Sequence, residues 1–186
     1  MNNHDYRKLF YDILYFFLHF ELCLGNCLCL DDTRHYDDDY NHQPIDAGNA
    51  HEKDYFHFSA PDFTEDLTIG FSHGYTGHRD EKWEVIVGGG KGDSFSIRPG
   101  NAGKAQVAMK MPFPNREQYE EVRKNFAVRM TDGNIALYSA DSDGSIKDLI
   151  VEWNDDTIIK SYYNTLTVTG GWGGRGTARV RGVCRN

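Results

Sequence analysis

Short segments in which hydrophobic and polar residues alternate recur from about residue 55 to the C-terminal end of the chain. Alternation with a period of two is the pattern of a half-buried strand. Turn residues separate the segments, and the pair Asp132-Gly133 between two of them is typical of a β-hairpin. The predicted strands are 55–58, 67–71, 83–87, 95–98, 105–111, 126–130, 135–138, 149–153, 165–169 and 177–183.

The pattern leaves little room for helices. Only residues 117–124 have helical composition, with acidic residues first and basic residues last, an order that suits the helix dipole. At this length the segment is expected to connect strands, not to organise the fold. The sequence therefore predicts an all-β protein, a sandwich or a barrel of half-buried sheets.

The composition restricts the class of protein but does not indicate an activity. The chain has 186 residues, of which 39% are hydrophobic and 26% charged, which is typical of one globular domain. Its formal net charge of −8 argues against a broad phosphate-binding surface, so we predict no nucleic-acid partner.

The N-terminal residues 1–25 differ from the rest. Arg7 and Lys8 precede an apolar run over 13–20, and Cys23-Leu24-Gly25 after the run could serve as a cleavage site. Together these features are typical of a secretory signal peptide. A membrane anchor is the alternative, but acidic residues in and beside the run make a stable membrane span unfavourable. The prediction is a secreted, extracellular protein.

Residues 26–52 are acidic and polar and lack apolar periodicity, so they are predicted to form a solvated linker before the domain at 53–186. The histidines of this segment, among carboxylates, could hold a divalent cation. Because no pair has the fixed spacing of a preformed site, we predict no metal site. These histidines are His35, His42 and His51.

The positions of the four cysteines do not predict a disulfide framework. Three of them cluster at 23–29, and Cys184 is alone in the body of the chain. Cys184 could form a disulfide with Cys27 or Cys29, or it could pack as a small apolar residue. Without a neighbouring motif, a nucleophilic role is not expected.

The glycine cluster at 85–93, VIVGGGKGD, is similar to the strand and loop that open a nucleotide or S-adenosylmethionine site. Such a site needs a helix that starts at the glycines, because the helix N-terminus faces the ligand. Here residues 94–98 alternate like a strand, and no acidic residue follows about 20 positions later. We therefore predict a β-turn or bulge at the glycines.

Other polar motifs have structural interpretations. The segment 141–145, DSDGS, is predicted as a hairpin turn, with a weak calcium site as the alternative. Glu84 and Glu152 lie within strands, where a solvated outward carboxylate is expected. Trp83 and Trp153 are predicted in the core. A row of arginines is predicted on an edge strand, where it would oppose aggregation; its members are Arg175, Arg179, Arg181 and Arg185.

Two motifs carry a family resemblance. The segment 83–98, WEVIVGGGKGDSFSIR, and the segment 168–176, VTGGWGGRG, resemble the signature and the closing motif of the farnesoic acid O-methyltransferase-like domain of invertebrates. Segments 126–137 and 149–155 are similar to the motifs that the family has between them, so the likeness covers about 53–183. Gly90 stands where the family usually has Trp, and Gly92-Asp93 where it has Asn.

The resemblance implies an antiparallel β-sandwich of jelly-roll type, and its name implies methyl transfer. Because the glycine loop lacks the helix of a cofactor pocket, we predict no cofactor and no catalytic residue, and instead a non-catalytic secreted module that binds a small ligand, glycan or protein. The alternative is an S-adenosylmethionine-dependent methyltransferase acting on farnesoic acid in the juvenile hormone pathway. The predicted ligand-binding residues are Gly89, Gly90, Asp93, Trp172 and Arg175.

Overall fold

The computed structural model describes residues 30–36, 43–46, 53–74, 81–89, 94–100, 106–110 and 116–184. This part of the chain forms eleven strands, one α-helix, α1 (Arg116–Lys124), and a short 3-10 helix, Lys160–Tyr162. The strands are β1 (Leu30–Tyr36), β2 (Gln43–Asp46), β3 (Lys53–Ser59), β4 (Thr64–Ser72), β5 (Glu81–Gly88), β6 (Ser94–Pro99), β7 (Val107–Lys110), β8 (Asn125–Thr131), β9 (Asn134–Ala140), β10 (Ile146–Asn154) and β11 (Thr165–Cys184).

The strands form two antiparallel sheets that share β11. In sheet A the second half of β11 pairs with β1 and β3, and β8, β9 and β10 follow β3. In sheet B the first half of β11 pairs with β2 and β4, and β5, β6 and β7 follow β4. The first four strands alternate between the sheets, so the chain builds a jelly-roll-like sandwich.

The two sheets pack face to face over one hydrophobic core. Phe58 of β3 stacks on Phe126 of β8 with ring centroids 5.0 Å apart, and Phe56 meets Phe71 of the opposite sheet at 6.2 Å. Inward positions of β4 and β5 alternate with outward ones, as a period of two requires. The predicted antiparallel all-β sandwich of jelly-roll type is confirmed.

Most local predictions are also confirmed. The eight predicted strands between 55 and 153 are present, the helical segment at 117–124 lies in α1, and Asp132-Gly133 joins β8 to β9 with a φ of +78° at the glycine. Trp83 is buried, and Trp153 packs against the core. The next described residues after Gly89, Ser94–Pro99, form β6, which pairs antiparallel with β5. The strand predicted at 95–98 is therefore confirmed, whereas the turn or bulge predicted at the glycines falls largely on residues 90–93, outside the described part of the chain.

The prediction that residues 26–52 form a solvated linker is wrong for two segments. Leu30–Tyr36 forms β1, and Gln43–Asp46 forms β2, and each pairs with β11. Alternating exposure explains why the charged β1 segment folds: Asp31 and Arg179 form an ion pair at 2.5 Å on the outer side, whereas Tyr36 is 1% exposed and enters the core. The charged residues of this segment give no strand pattern in the sequence. The strand forms because it pairs with the long strand β11.

Two expectations about the C-terminal region need correction. The segments 165–169 and 177–183 are parts of one strand, β11, and the glycines between them form an irregularity in its pairing with β4 between Gly171 and Arg175. β11 has partners on both sides, so its arginines do not lie on an edge strand. Arg185 lies outside the described residues.

The expected solvated carboxylate at Glu84 is wrong as well. Glu84 is 4% exposed and receives a hydrogen bond at 2.5 Å from Arg98, its register partner on β6. The ion pair makes this burial tolerable, because an unpaired buried carboxylate would cost several kcal/mol, roughly. Glu152 is exposed, as expected.

Cys184 at the end of β11 is disulfide-bonded, and its partner lies outside the described residues. Of the two possibilities left open by the sequence, the disulfide is therefore the one found. Among the described residues, no helix has the length and apolar character needed to cross a membrane.

Candidate functional site

The two glycine-rich segments of the sequence meet in space. Strand β4 lies between β5 and β11, so its first residues are flanked by the glycines that end β5 and by those in the middle of β11. Asp66 is the register partner of Gly171, and Leu67 pairs with Val87 on the other side. We call this region the glycine corner and define it as residues 64–66, 88–89 and 171–176.

Three glycines of the corner are required by close backbone packing. A Cβ on Gly88 would lie 2.3 Å from the Glu65 carbonyl oxygen, and one on Gly174 would lie 2.1 Å from that of Asp66. A Cβ on Gly176 would lie 2.6 Å from the Phe63 Cα. No side chain fits at these distances, so these glycines let the start of β4 settle against β5 and β11.

Other glycines leave room. A Cβ on Gly171 would meet atoms no nearer than 3.7 Å, and one on Gly173 would meet only Glu65 Cγ, at 4.0 Å. Gly173 is exposed and has a φ of +91°. Gly89 is buried, and its carbonyl oxygen accepts a hydrogen bond from the Ser94 hydroxyl. Among the described glycines of the corner, Gly173 is the exposed one, and apart from its chain neighbours the atom nearest to its added Cβ is Glu65 Cγ.

Glu65 holds a strained conformation at the corner. Its φ of +49° is the only positive value among the described non-glycine residues. Arg123 of α1 fixes it: this side chain is 8% exposed and donates hydrogen bonds of 3.0 Å to the carbonyl oxygens of Phe63 and Glu65. Strained residues persist only where the surroundings over-determine them, and they occur often at ligand sites.

Charges of both signs surround the corner. Glu65 and Arg175 are exposed on its rim, whereas the Asp66 carboxylate is 4% exposed between Gly89 and Gly171. The Thr64 hydroxyl donates to the Arg175 carbonyl oxygen at 3.2 Å and so ties the rim of β4 to β11. The rim thus carries one side chain that only accepts hydrogen bonds, Glu65, and one that only donates them, Arg175.

The predicted ligand-binding residues divide between the corner and the undescribed part of the chain. Gly89 and Arg175 lie in the corner. Gly90, Asp93 and the side chain of Trp172 lie outside the described residues, so their roles stay predictions. Sequence reasoning missed Glu65, Asp66 and Arg123. Nothing in their local pattern marks them, because their roles come from contacts across strands and with α1.

The described part of the corner offers backbone groups and hydrogen-bonding side chains. Within the part of the chain that the structure describes, no three His, Cys, Asp or Glu residues are grouped so as to hold a metal ion. The pKa shifts large enough to carry a value lie elsewhere: burial raises the pKa of Tyr36 to about 12 and lowers that of His57 to about 4.

Comparisons with known proteins add a likeness of shape only. No protein-family model matches the chain, and no curated protein does. The exoplasmic/lumenal domain of VIP36, in a crystal form bound to Ca2+ and Man3GlcNAc, aligns with 11% identity over 84% of this chain and 85% of that one, at a TM-score of 0.44. The PSpry domain of TRIM65 aligns with 14% identity over 77% and 66%, at 0.35.

Proposed function

We propose that this protein is a non-catalytic binding module whose glycine corner takes a neutral, hydroxyl-rich ligand of the carbohydrate class. The observation that carries the proposal is the strained Glu65, which is exposed yet held by a buried arginine. A position that costs free energy and has a dedicated support is expected to be kept for a purpose other than stability. That purpose is to hold its side chain on the rim beside Gly173.

The chemistry of the rim favours a polyol over an ion. The Glu65 carboxylate can only accept hydrogen bonds and the Arg175 guanidinium can only donate them, whereas each sugar hydroxyl does both. Opposite charges cancel, so the rim offers little net attraction for an anion or a cation. The exposed Gly173 has no side chain and adds backbone groups that a ligand can approach closely. The sequence leaves open whether the Trp172 indole is exposed or packs under a loop; an exposed indole would stack on the apolar face of a sugar ring.

Secretion and membership of the farnesoic acid O-methyltransferase-like family are parts of the same proposal. The disulfide at Cys184 supports an oxidising compartment, since structural disulfides are rare in the cytosol. The family rests on the two glycine motifs. We do not carry over its members' methyltransferase name, because the first described element after the glycines is the strand β6 and not the helix that a cofactor pocket requires.

A glycan array followed by calorimetry tests the ligand class. We expect the full chain to bind one or more neutral glycans, and Arg175→Ala to weaken that binding by about tenfold or more, the usual loss when a charged hydrogen-bond donor is removed. The matched control is Lys147→Ala, which removes an exposed cation of β10. Absence of glycan binding, equal effects of the two variants, or heat on titration with S-adenosylmethionine would contradict the proposal.

A further inference from the structure

A second group of residues, on the outer face of sheet A, has no part in the glycine corner. His57 of β3 points away from the core, because its neighbours Phe56 and Phe58 point into it. Its side chain is nevertheless 0% exposed. The turn between β9 and β10, residues 141–145, covers the ring: a Cβ on Gly144 would lie 3.4 Å from the His57 Cγ. We call residues 141–145 the cover.

The cover is held by few contacts. The Tyr55 hydroxyl donates to the Gly144 carbonyl oxygen at 3.0 Å, and Arg181 approaches the Ser142 carbonyl oxygen at 3.4 Å. Within the cover, the Gly144 amide donates to the Asp141 carbonyl oxygen at 2.9 Å. Lys147 of β10 also pairs with Asp141 of the cover, at 2.5 Å, in an exposed ion pair. The cover is thus a single turn on the sheet, held by the Tyr55 hydrogen bond, the Arg181 contact and this ion pair, with the His57 ring beneath it.

The protonation state of His57 follows from its partner. Arg181 lies opposite His57 in the register of β11, and its Nη2 is 2.8 Å from the His57 Nδ1. A guanidinium can only donate, so Nδ1 accepts and the ring is neutral, with its proton on Nε2. A second proton could enter at Nδ1 only by breaking this hydrogen bond, and two cations would then face each other at contact distance under a buried lid.

From these contacts we propose that the cover is released by acid: a proton taken up from solvent by His57 at Nδ1 expels residues 141–145 from the outer face of sheet A. Opening lets water reach both cations, so the open form binds the proton more tightly than the closed form does. The same linkage requires that protonation shift the equilibrium toward the open form.

Several groups surround His57 and affect its pKa. β8 contributes an uncharged neighbour, Ala127. The titratable and charged groups near His57 are Tyr55 of the same strand, Arg179 and Arg181 of β11, and Asp141 and Asp143 of the cover. Burial first, and then Arg181, lower the pKa of His57 from 6.5 to about 4, and a hydrogen bond to the Asp141 backbone and the Asp143 charge only partly oppose them. If the open ring regains the ordinary histidine pKa, the open form binds the proton up to roughly 300-fold more tightly.

Hydrogen exchange measured by mass spectrometry on the full chain tests the proposal. At pH 7 and pH 4, with rates corrected for intrinsic exchange, we expect protection of the amides in 141–145 to fall by about tenfold or more in the wild type, and by less than about twofold in His57→Gln. Glutamine keeps an acceptor for Arg181 and does not titrate. An equal fall in His57→Gln would overturn the proposal.

Two further measurements keep the test decisive. Asp143 is the competing trigger, since hydrogen bonds from Ser145 lower its pKa below the usual value. If Asp143→Asn abolishes the acid response, a carboxylate and not His57 releases the cover, and the proposal fails. If His57→Gln does not fold, an NMR titration of the wild type decides: the amide signals of the cover must shift with the midpoint of the His57 ring, and a different midpoint would overturn the proposal.

Discussion

The glycine corner and the cover over His57 are two irregular regions on the same sandwich, and they are held in different ways. At the corner, backbone packs on backbone: Gly88 and Gly174 exclude any side chain, and a buried arginine clamps the strained residue. At the cover, side chains hold one turn, and the central contact joins an arginine to a neutral histidine. The corner should therefore be rigid, whereas the cover should open locally and respond to acid.

This difference also explains what each region can do. A backbone-packed corner pre-organises a rim for a ligand, because the rim residues have little freedom to lose on binding. A turn held by a few hydrogen bonds can open without unfolding the sheets beneath it. Substitutions that act on one region and leave the other intact test the contrast.

The largest effect is expected for Gly174→Ala. The new Cβ would lie 2.1 Å from a carbonyl oxygen of β4, and neither backbone can yield without breaking the sheet. We expect the free energy of unfolding to fall by about 4 kcal/mol, or the chain not to fold. Denaturant unfolding measures this loss.

The matched control is Gly171→Ala, three residues earlier on the same strand. Its Cβ would make ordinary contacts, 3.7 and 3.8 Å from side-chain atoms of Asp66 and Thr68. We expect this change to cost less than about 1 kcal/mol. Similar losses in both variants would mean that close backbone packing does not distinguish the two glycines.

The next effect is the pH dependence of stability at the cover. The pKa of His57 is lowered from 6.5 to about 4, so as pH falls through 6.5 the unfolded chain takes up this proton before the folded one does. The stability contributed by the neutral ring is present above pH 6.5 and is lost toward pH 4, by no more than about 3 kcal/mol.

Denaturant unfolding of the wild type and His57→Gln at several pH values isolates this contribution. The difference between their unfolding free energies should change between pH 7 and pH 4, with the wild type losing more. Other titrating groups cancel in the difference. Parallel curves would show that His57 does not carry the acid response.

The sequence allowed the corner to be anticipated better than the cover, for physical reasons. Glycines at a bulge can be recognised in the sequence, because few other residues tolerate the backbone conformation of a bulge. The strand after Gly89 is predicted by its alternation of hydrophobic and polar residues. The clamp at Glu65 depends on an arginine 58 residues away. His57 looks like any outward residue of β3, and its burial arises only when the turn at 141–145 folds over it. Strand β1 was missed because its pairing, not its composition, orders it.

A smaller effect is expected for Arg123→Met at the clamp of the corner. The change leaves the carbonyl oxygens of Phe63 and Glu65 without their buried donor, at a cost of about 2 kcal/mol. Denaturant unfolding measures it. The control is Arg116→Met on the same helix, where the side chain is 53% exposed and its ion pair with Glu120 contributes at most about 0.5 kcal/mol. Equal costs would show that the clamp is not specific.

The smallest change in stability is expected for Glu65→Gly, and its sign is opposite. Glycine adopts a φ of +49° without strain, so the unfolding free energy should rise by about 1 kcal/mol, measured by thermal or denaturant unfolding. Glu65→Gln keeps the strain and should leave stability unchanged. If the rim binds a glycan, both variants should bind it more weakly, although one of them is more stable. If Glu65→Gly loses stability, Glu65 is kept for packing. The strain at this position would then no longer support a ligand site at the corner.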